Sequence, residues 1–299
     1  MAIGFSGGAD STALLLAALH LWGPARLRVM HVHHGLQGDA DRFAAHAQAV
    51  CDGWGVVCEV LHARVRAERG DSLEEQARLS RYAAMGAACA RAGCRWLLLG
   101  HQADDQAESL LLALLRGAGP KGLAAMPAAS SRDGVRLGRP LLVVTAAALR
   151  ANLDAQGVPY VRDPMNQDPA FRRTRIRQEL LPVVARLEPG WARTLARAAE
   201  LCAQAAACLD ARAAEDLARC RVEPGLSLGA LRALDDARLS EVLRGWLAEC
   251  GARASAGQLR ALMRQVRDSA RGAHRLRVVL ADVVVTRRRD VLCCTAQHL

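Results

Sequence analysis

Lysine is almost missing from this chain of 299 residues: Lys121 is the only one, so nearly all of the 40 basic side chains are arginine. A phosphate loop of the G-x-x-x-x-G-K-S/T kind needs a lysine beside its second glycine and is excluded at the start of the chain, where no G-x-G-x-x-G follows the opening strand either. No apolar run approaches the roughly 18 residues of a membrane span. The N-terminus has no basic stretch followed by a cleavable apolar segment, so a cytoplasmic protein without a membrane partner is expected. The ten cysteines form no C-x-x-C pair: Cys89 and Cys94 are too far apart, and Cys293-Cys294 sit in an apolar terminal run. Buried free thiols are the expectation, and a zinc site is not.

What is present fits a two-domain protein of ordinary composition, with 52% hydrophobic and 23% charged residues. The net charge of +10 suggests a polyanionic partner. An alanine-rich chain that uses arginine for lysine also acquires such a charge from coding bias. Where the arginines cluster therefore carries more weight than their sum.

Met1 to Thr12 reads MAIGFSGGADST. The apolar Ala2, Ile3 and Phe5 predict a strand, Ser6-Gly7-Gly8 a tight turn, and Thr12 to Leu21 a helix. Paired glycines let the backbone approach a ligand where a Cβ would clash, and unpaired N–H groups at a helix mouth favour an anion. Ser6, Gly7, Gly8, Ala9, Asp10 and Ser11 are thus read as a phosphate cradle. Further strands are expected at Leu27–Val32, Val56–Leu61 and Cys94–Gly100, alternating with helices at Asp39–Trp54, from Ser72 to about Ala92, and at Gln106–Arg116. That alternation predicts a parallel sheet with helices on both faces, whose ligands lie at the carboxyl ends of strands. His33-His34 ends the second strand and is expected near the same crevice.

Ser72 to Glu75 fits a capping box, and Glu74 is spaced to pair with Arg78. Arg81 has no acidic residue at that spacing and is the phosphate candidate of its helix. After the fourth strand come His101, Asp104, Asp105 and Glu108; the last two are three apart and share a helix face. Two aspartates at a helix start complement the dipole. A third carboxylate beside an anionic nucleotide is costly without a cation, for which magnesium and an ammonium group are the candidates. Phe171 to Arg177 carries Arg172, Arg173, Arg175 and Arg177, planar cations suited to phosphate. Beyond Pro189-Gly190 the pattern turns helical, at Trp191–Arg219, Leu228–Cys250 and Ala256–Arg267. A β-hairpin of Leu276–Val285 and Val291–Thr295 closes the chain, with Arg287, Arg288 and Arg289 at its turn. The expected domains are 1–188 and 189–299.

The loop Ser6-Gly7-Gly8-Ala9-Asp10-Ser11 resembles the S-G-G-x-D-S loop of the ATP pyrophosphatases. With His31-Val32-His33-His34-Gly35-Leu36, the Glu74-to-Tyr82 segment, His101-to-Ser109, Leu114-to-Met126, Arg139-to-Leu142, Asp163-to-Asp168 and Phe171-to-Arg177, the chain resembles the tRNA-isoleucine lysidine synthetases. The blocks occur in the family's order from Ala2 to about Val184, and the second region resembles the family's small substrate-binding domain more faintly. Gln102, Ser109, His33 and Thr174 depart from the usual residues. Longer members carry leading residues before the first strand and a further C-terminal domain, both of which this chain is expected to lack.

The resemblance implies an adenine nucleotide alpha-hydrolase-like fold and ATP-dependent attachment of lysine to C2 of the wobble cytidine of a tRNA-Ile with a CAU anticodon. It implies a PP-loop for ATP with His34 nearby and Mg2+ on Asp10, and lysine held by Asp105 and Glu108. Charge on the α-phosphate would be met by Arg78 or Arg81 and Arg175 or Arg177, with His101 in the pocket. Transfer RNA would be held by Arg172, Arg173 and the basic hairpin turn. Rival readings are a thiolating pyrophosphatase, an amide-forming NAD or GMP synthetase, and a non-catalytic tRNA-binding homologue. The missing C-x-x-C argues against the first, the arginine-rich second region against the next, and intact Ser6, Asp10 and Ser11 against the last.

Overall fold

The computed structural model describes residues 1–33, 40–63, 73–132, 134–161, 172–269, 276–280 and 283–296. Six strands, β1 (Ala2–Gly4), β2 (Arg28–His33), β3 (Val57–His62), β4 (Trp96–Leu99), β5 (Ala129–Arg132) and β6 (Val135–Gly138), form one sheet in the order β3-β2-β1-β4-β6-β5. All neighbours run parallel except the β5–β6 hairpin. Helices α1 (Ala9–Trp22), α2 (Ala40–Gly53), α3 (Leu73–Arg91), α4 (Ala103–Leu115), α5 (Pro120–Leu123) and α6 (Ala146–Ala155) punctuate it. Alternate strand residues enter opposite layers, as the pleat requires. Ala2, Met30, Leu97 and Leu99 pack with Tyr82, Met85 and Ala88 of α3, whereas Ile3, Val29 and Leu98 pack with Leu14 and Leu15 of α1 and Ala47 of α2. Both faces are covered, which is why β4 reads as an unbroken apolar run.

The strand order reverses between β1 and β4, so the loops leaving these neighbours diverge to open a crevice at their carboxyl ends. Helix α4 begins at Ala103, earlier than the expected Gln106. The cause is Gln102, whose side-chain oxygen accepts the Asp104 N–H (2.5 Å) while its own N–H donates to Asp105 Oδ2 (3.2 Å). The departure at Gln102 thus serves as a helix cap. Helix α7 (Arg172–Arg175) leads through a π-helical turn over Ile176–Leu180 into α8 (Leu181–Leu187). Ile176 and Leu181 seat this segment on Ala107 and Leu112 of α4.

The chain divides into two compact units, Met1–Ala203 and Gln204–Leu299. The division falls within α9 (Trp191–Cys220), later than the expected 188/189 boundary. In the second unit, α10 (Leu228–Ala233), α11 (Asp236–Glu249) and α12 (Ala256–Asp268) accompany strands β7 (Arg221–Val222), β8 (Gly225–Ser227), β9 (Arg277–Leu280), β10 (Val283–Arg288) and β11 (Val291–Ala296). The strands form an antiparallel sheet in the order β7-β8-β11-β10-β9. Leu228, Leu231, Leu239, Leu243, Leu247 and Leu259 fill the core.

Two expectations need correction here. Leu228–Cys250 is not one helix: α10 stops at Ala233, Leu234 is extended, and Asp235 caps α11 by accepting the Arg238 N–H (2.9 Å). Leu276–Val285 is not one strand but parts of β9 and β10, paired antiparallel with Val284 opposite Val279. The β10–β11 hairpin with its basic turn is present, Arg289 taking the left-handed conformation at φ 57°. Asp216 is fully buried and accepts two bonds from Arg238 (both 2.7 Å) and one from Arg219.

Leu15 is fully enclosed on the inner face of α1, the helix that the glycine loop feeds. Leu15→Ala should lower the unfolding free energy by about 2–5 kcal/mol. Urea titration checks this, and a drop below about 1 kcal/mol would show α1 to be weakly packed.

Candidate functional site

The glycine loop closes on itself. Ser11 Oγ accepts the Ser6 N–H (3.2 Å) and donates to the Gly8 carbonyl (3.0 Å), while Ser6 Oγ accepts the Gly8 N–H (3.3 Å). Both hydroxyls are therefore spent inside the loop. The first amide of α1 to bond within the helix is that of Thr12, to Gly8 O (3.0 Å), so Ala9, Asp10 and Ser11 present the N–H groups at its mouth. Gly7 has φ +83°, and a Cβ there would stand 3.1 Å from His46 Cδ2. The Val161 N–H donates to the Gly7 carbonyl (2.9 Å) and fixes the outer side of the loop. This is a rigid backbone cradle for an anion.

Beside it lies a carboxylate corner. Arg177 Nε donates to Glu108 Oε1 at 2.6 Å, and the same guanidinium reaches Asp105 Oδ1 at 3.4 Å. The helical spacing of Asp105 and Glu108 on one face is confirmed by this shared partner. Burial, ahead of the Arg177 hydrogen bond that opposes it, pushes Glu108 up to about 7. Burial also raises Asp105, against the Gln102 N–H and Arg177. Asp10 is raised to about 6, first by burial and then by the charge of Asp105, and its Oδ1 is buried with no hydrogen-bond partner among the described residues. Negative charge gathers here faster than the protein neutralises it, so the corner favours a cation.

A contrasting environment surrounds His101. Burial first, and then the charges of Arg139, Arg81, Arg173 and Arg78, pull it down to about 4. It is a neutral imidazole at physiological pH, and its Nδ1 is buried without a partner among the described residues. The structure thus brings Arg78, Arg81 and Arg173 to bear on one point and takes Arg177 to the carboxylates. Arg175 goes elsewhere: it faces outward and pairs with Glu179 (3.2 Å). Arg172 is exposed, as are Arg288 and Arg289, whereas Arg287 donates to the carbonyls of Arg289 (2.6 Å) and Ser269 (3.0 Å). His34, the Ser72 cap, the Glu74–Arg78 pair and the Asp163–Phe171 blocks lie outside the described residues or side chains.

Several residues of the site were not anticipated. Gln106 is buried and makes a two-point clamp, donating to Met126 O and accepting the Met126 N–H, both at 3.0 Å. Asp104, expected at the start of α4 as a complement to its dipole, has a further role: its Oδ2 accepts the Ala146 N–H (2.9 Å) and so ties α4 to α6. Arg139 Nη1 donates to Pro127 O (2.8 Å) and Ser130 Oγ (3.2 Å). His46 leans over Gly7 with Nε2 buried and unpartnered among the described residues. A buried polar side chain inside an apolar helical stripe, as at Gln106, was the available signal.

Comparison with known proteins gives the following. A PP-loop domain matches residues 1–184 and a TilS substrate binding domain residues 226–293. The chain is 43% identical over 293 residues to a tRNA(Ile)-lysidine synthase from Polaromonas naphthalenivorans, covering 98% of this chain and 88% of that one. It is 43% identical over 278 residues to the tRNA(Ile)-lysidine synthase of Chromobacterium violaceum, covering 91% of this chain and 62% of the relative. For that of Burkholderia pseudomallei the identity is 42% over 287 residues, covering 93% and 58%. The chain thus spans less than two thirds of the length of the latter two relatives. Among solved structures, a U34-tRNA thiolase, NcsA, from Methanococcus maripaludis is similar in fold, with a TM-score of 0.57, 17% identity, and coverage of 67% of this chain and 70% of that one.

The raised Glu108 carboxyl has a consequence for stability. Between its ordinary 4.5 and about 7, the folded chain keeps a proton that the unfolded chain has released. Stability from this group is therefore present at low pH and is lost as pH rises through about 7. Glu108→Gln removes that decline, so its urea midpoint should gain on the parent's between roughly pH 5 and pH 8. A constant gap between the two proteins would mean that Glu108 titrates as an exposed carboxylate does.

Proposed function

The chain belongs to the tRNA(Ile)-lysidine synthase family of carbon–nitrogen ligases, and from that premise we propose that it joins free lysine to C2 of the wobble cytidine of a CAU-anticodon tRNA-Ile. The cytidine C2 oxygen attacks the α-phosphate of ATP and pyrophosphate leaves. The lysine Nζ then attacks C2, loses its proton and expels AMP, leaving lysidine. The observation that carries this reading is the juxtaposition at the ends of β1 and β4: an anion cradle on one side and two carboxylates sharing a cation on the other.

In this reading the amides of Ala9, Asp10 and Ser11 hold the phosphates, and the serine hydroxyls keep the cradle in shape. Arg78 and Arg81 beside His101 meet charge developing on the α-phosphate, where fixed cations shielded from water are most effective. A magnesium ion fits Asp10, whose buried carboxylate oxygen has no partner among the described residues and is the hard donor such an ion takes. When bound, it would offset phosphate charge. Asp105 and Glu108 bind the lysine. Arg172 and Arg173, near the end of a catalytic part at residues 1–188, and Arg288 and Arg289, in a linker and tRNA-binding part at residues 189–299, hold tRNA phosphates. The cytoplasm, where tRNA and free lysine are found, is its compartment. Thiolation is disfavoured by the lack of a C-x-x-C pair.

ATP-dependent incorporation of labelled lysine into bulk tRNA tests the activity, and no incorporation would reject it. Asp10→Ala should leave a folded protein that no longer releases pyrophosphate in the presence of tRNA; near-normal release would remove the loop from the reaction. Glu108→Gln should still release pyrophosphate but raise the lysine KM roughly 10- to 150-fold, the worth of a charge-assisted hydrogen bond of about 1.5–3 kcal/mol. Loss of pyrophosphate release with an unchanged lysine KM would instead make this carboxylate part of the ATP site. Arg172→Ala/Arg173→Ala should lower the slope of log affinity for tRNA against log salt by roughly one for each phosphate that is no longer neutralised. An unchanged slope would assign both to solvent.

A further inference from the structure

We propose that Arg177 is the specificity residue for the α-carboxylate of the amino acid: it leaves Glu108 and Asp105 when the substrate's α-ammonium takes its place, and pairs with the carboxylate on the same carbon. The inference rests on the lysine-ligase reading and adds which groups of lysine the corner recognises and how they enter.

The first observation is access. The Glu108 side chain is 2% exposed and its Oε1 is 2.6 Å from Arg177 Nε, while Arg177 itself is 40% exposed. The guanidinium thus occupies the place at Glu108 Oε1 that a cationic ligand would take, and its own exposure leaves it room to swing outward. The second observation is charge. Arg177 is hydrogen-bonded to both carboxylates of the corner, and one positive charge leaving as another arrives keeps the buried carboxylates compensated. The displaced guanidinium then needs an anion of its own. An α-amino acid carries one, a bond away from the ammonium, in a shape the planar guanidinium fork grips at two points. The α-ammonium and α-carboxylate of lysine together carry no net charge, so that end of the molecule exchanges with the internal ion pair without altering its charge, whereas an end of a plain diamine adds a positive one.

Chemistry selects which ammonium of lysine enters. A carboxylate pair stabilises the protonated amine. The attacking nitrogen has to be neutral, so the pair suits the α-amine and leaves Nζ at the far end of the side chain free to react.

Calorimetric titration of the full chain with lysine, and with cadaverine, which lacks the carboxylate, tests the assignment. The wild type should prefer lysine by about tenfold or more, the worth of one charge-assisted hydrogen bond. Arg177→Gln should bring the two ligands close to parity. Equal binding of both by the wild type, or an unchanged preference in folded Arg177→Gln, overturns the proposal, since an arginine that only braces the carboxylates would alter both ligands alike. If Arg177→Gln does not fold, Arg177→Lys carries the same test: its ammonium lacks the fork, so the preference should fall, and an unchanged one overturns the assignment. A wild type that binds no lysine even with ATP and tRNA present would overturn the lysine-ligase reading itself.

Discussion

A side chain on Gly100 would crowd the backbone of α1. A Cβ there would stand 3.0 Å from the carbonyl carbon and oxygen of Asp10 and from the amide nitrogen of Ser11. These are backbone atoms of the first turn of α1 and cannot step aside as a side-chain tip can. The close approach lets the exit of β4 lie flush against the cradle that follows β1. His101, Asp105 and Glu108 follow at once along the chain and inherit that proximity. Without it, the anion cradle and the cation corner would be two unrelated features on one sheet edge.

Two opposite electrostatic environments then sit on the same few residues of sequence. His101 is kept neutral by burial and by four arginines, while Asp105 and Glu108 are burdened by burial and by neighbouring carboxylates. The separation is topological. The arginines arrive from α3, α7 and the end of β6, and the carboxylates from the first turns of α4. Side chains leaving a strand end and a helix start point apart, so a single segment can feed both. Gln106 and Asp104 hold it in that pose through Met126 and Ala146.

Much of this was legible in the amino-acid order alone. The glycine pair, the apolar alternation that makes both sheet faces dry, and the spacing of Asp105 and Glu108 are local patterns, and local patterns survive in a sequence. The choice between Arg175 and Arg177 was not legible. Two arginines separated by one residue differ only in the helical face they occupy, and a π-helical turn between Arg175 and α8 resets that phase. Nor could the β9–β10 break be seen, because Leu276–Val285 is apolar across most of its length. Gln102 was visible only as an oddity. Its meaning, a cap that starts α4 early, required knowing where the backbone N–H groups point.

The near-absence of lysine bears on self-modification. An enzyme that activates a carbon for attack by an amine exposes its own amines to the same electrophile. A guanidinium remains protonated at any physiological pH and offers no free lone pair. Every fixed cation named in the two environments, Arg78, Arg81, Arg139, Arg173 and Arg177, is of that inert kind, and Lys121 on α5 is the only lysine amine in the chain. The site can therefore be densely positive without any of these cations offering an electrophile an amine.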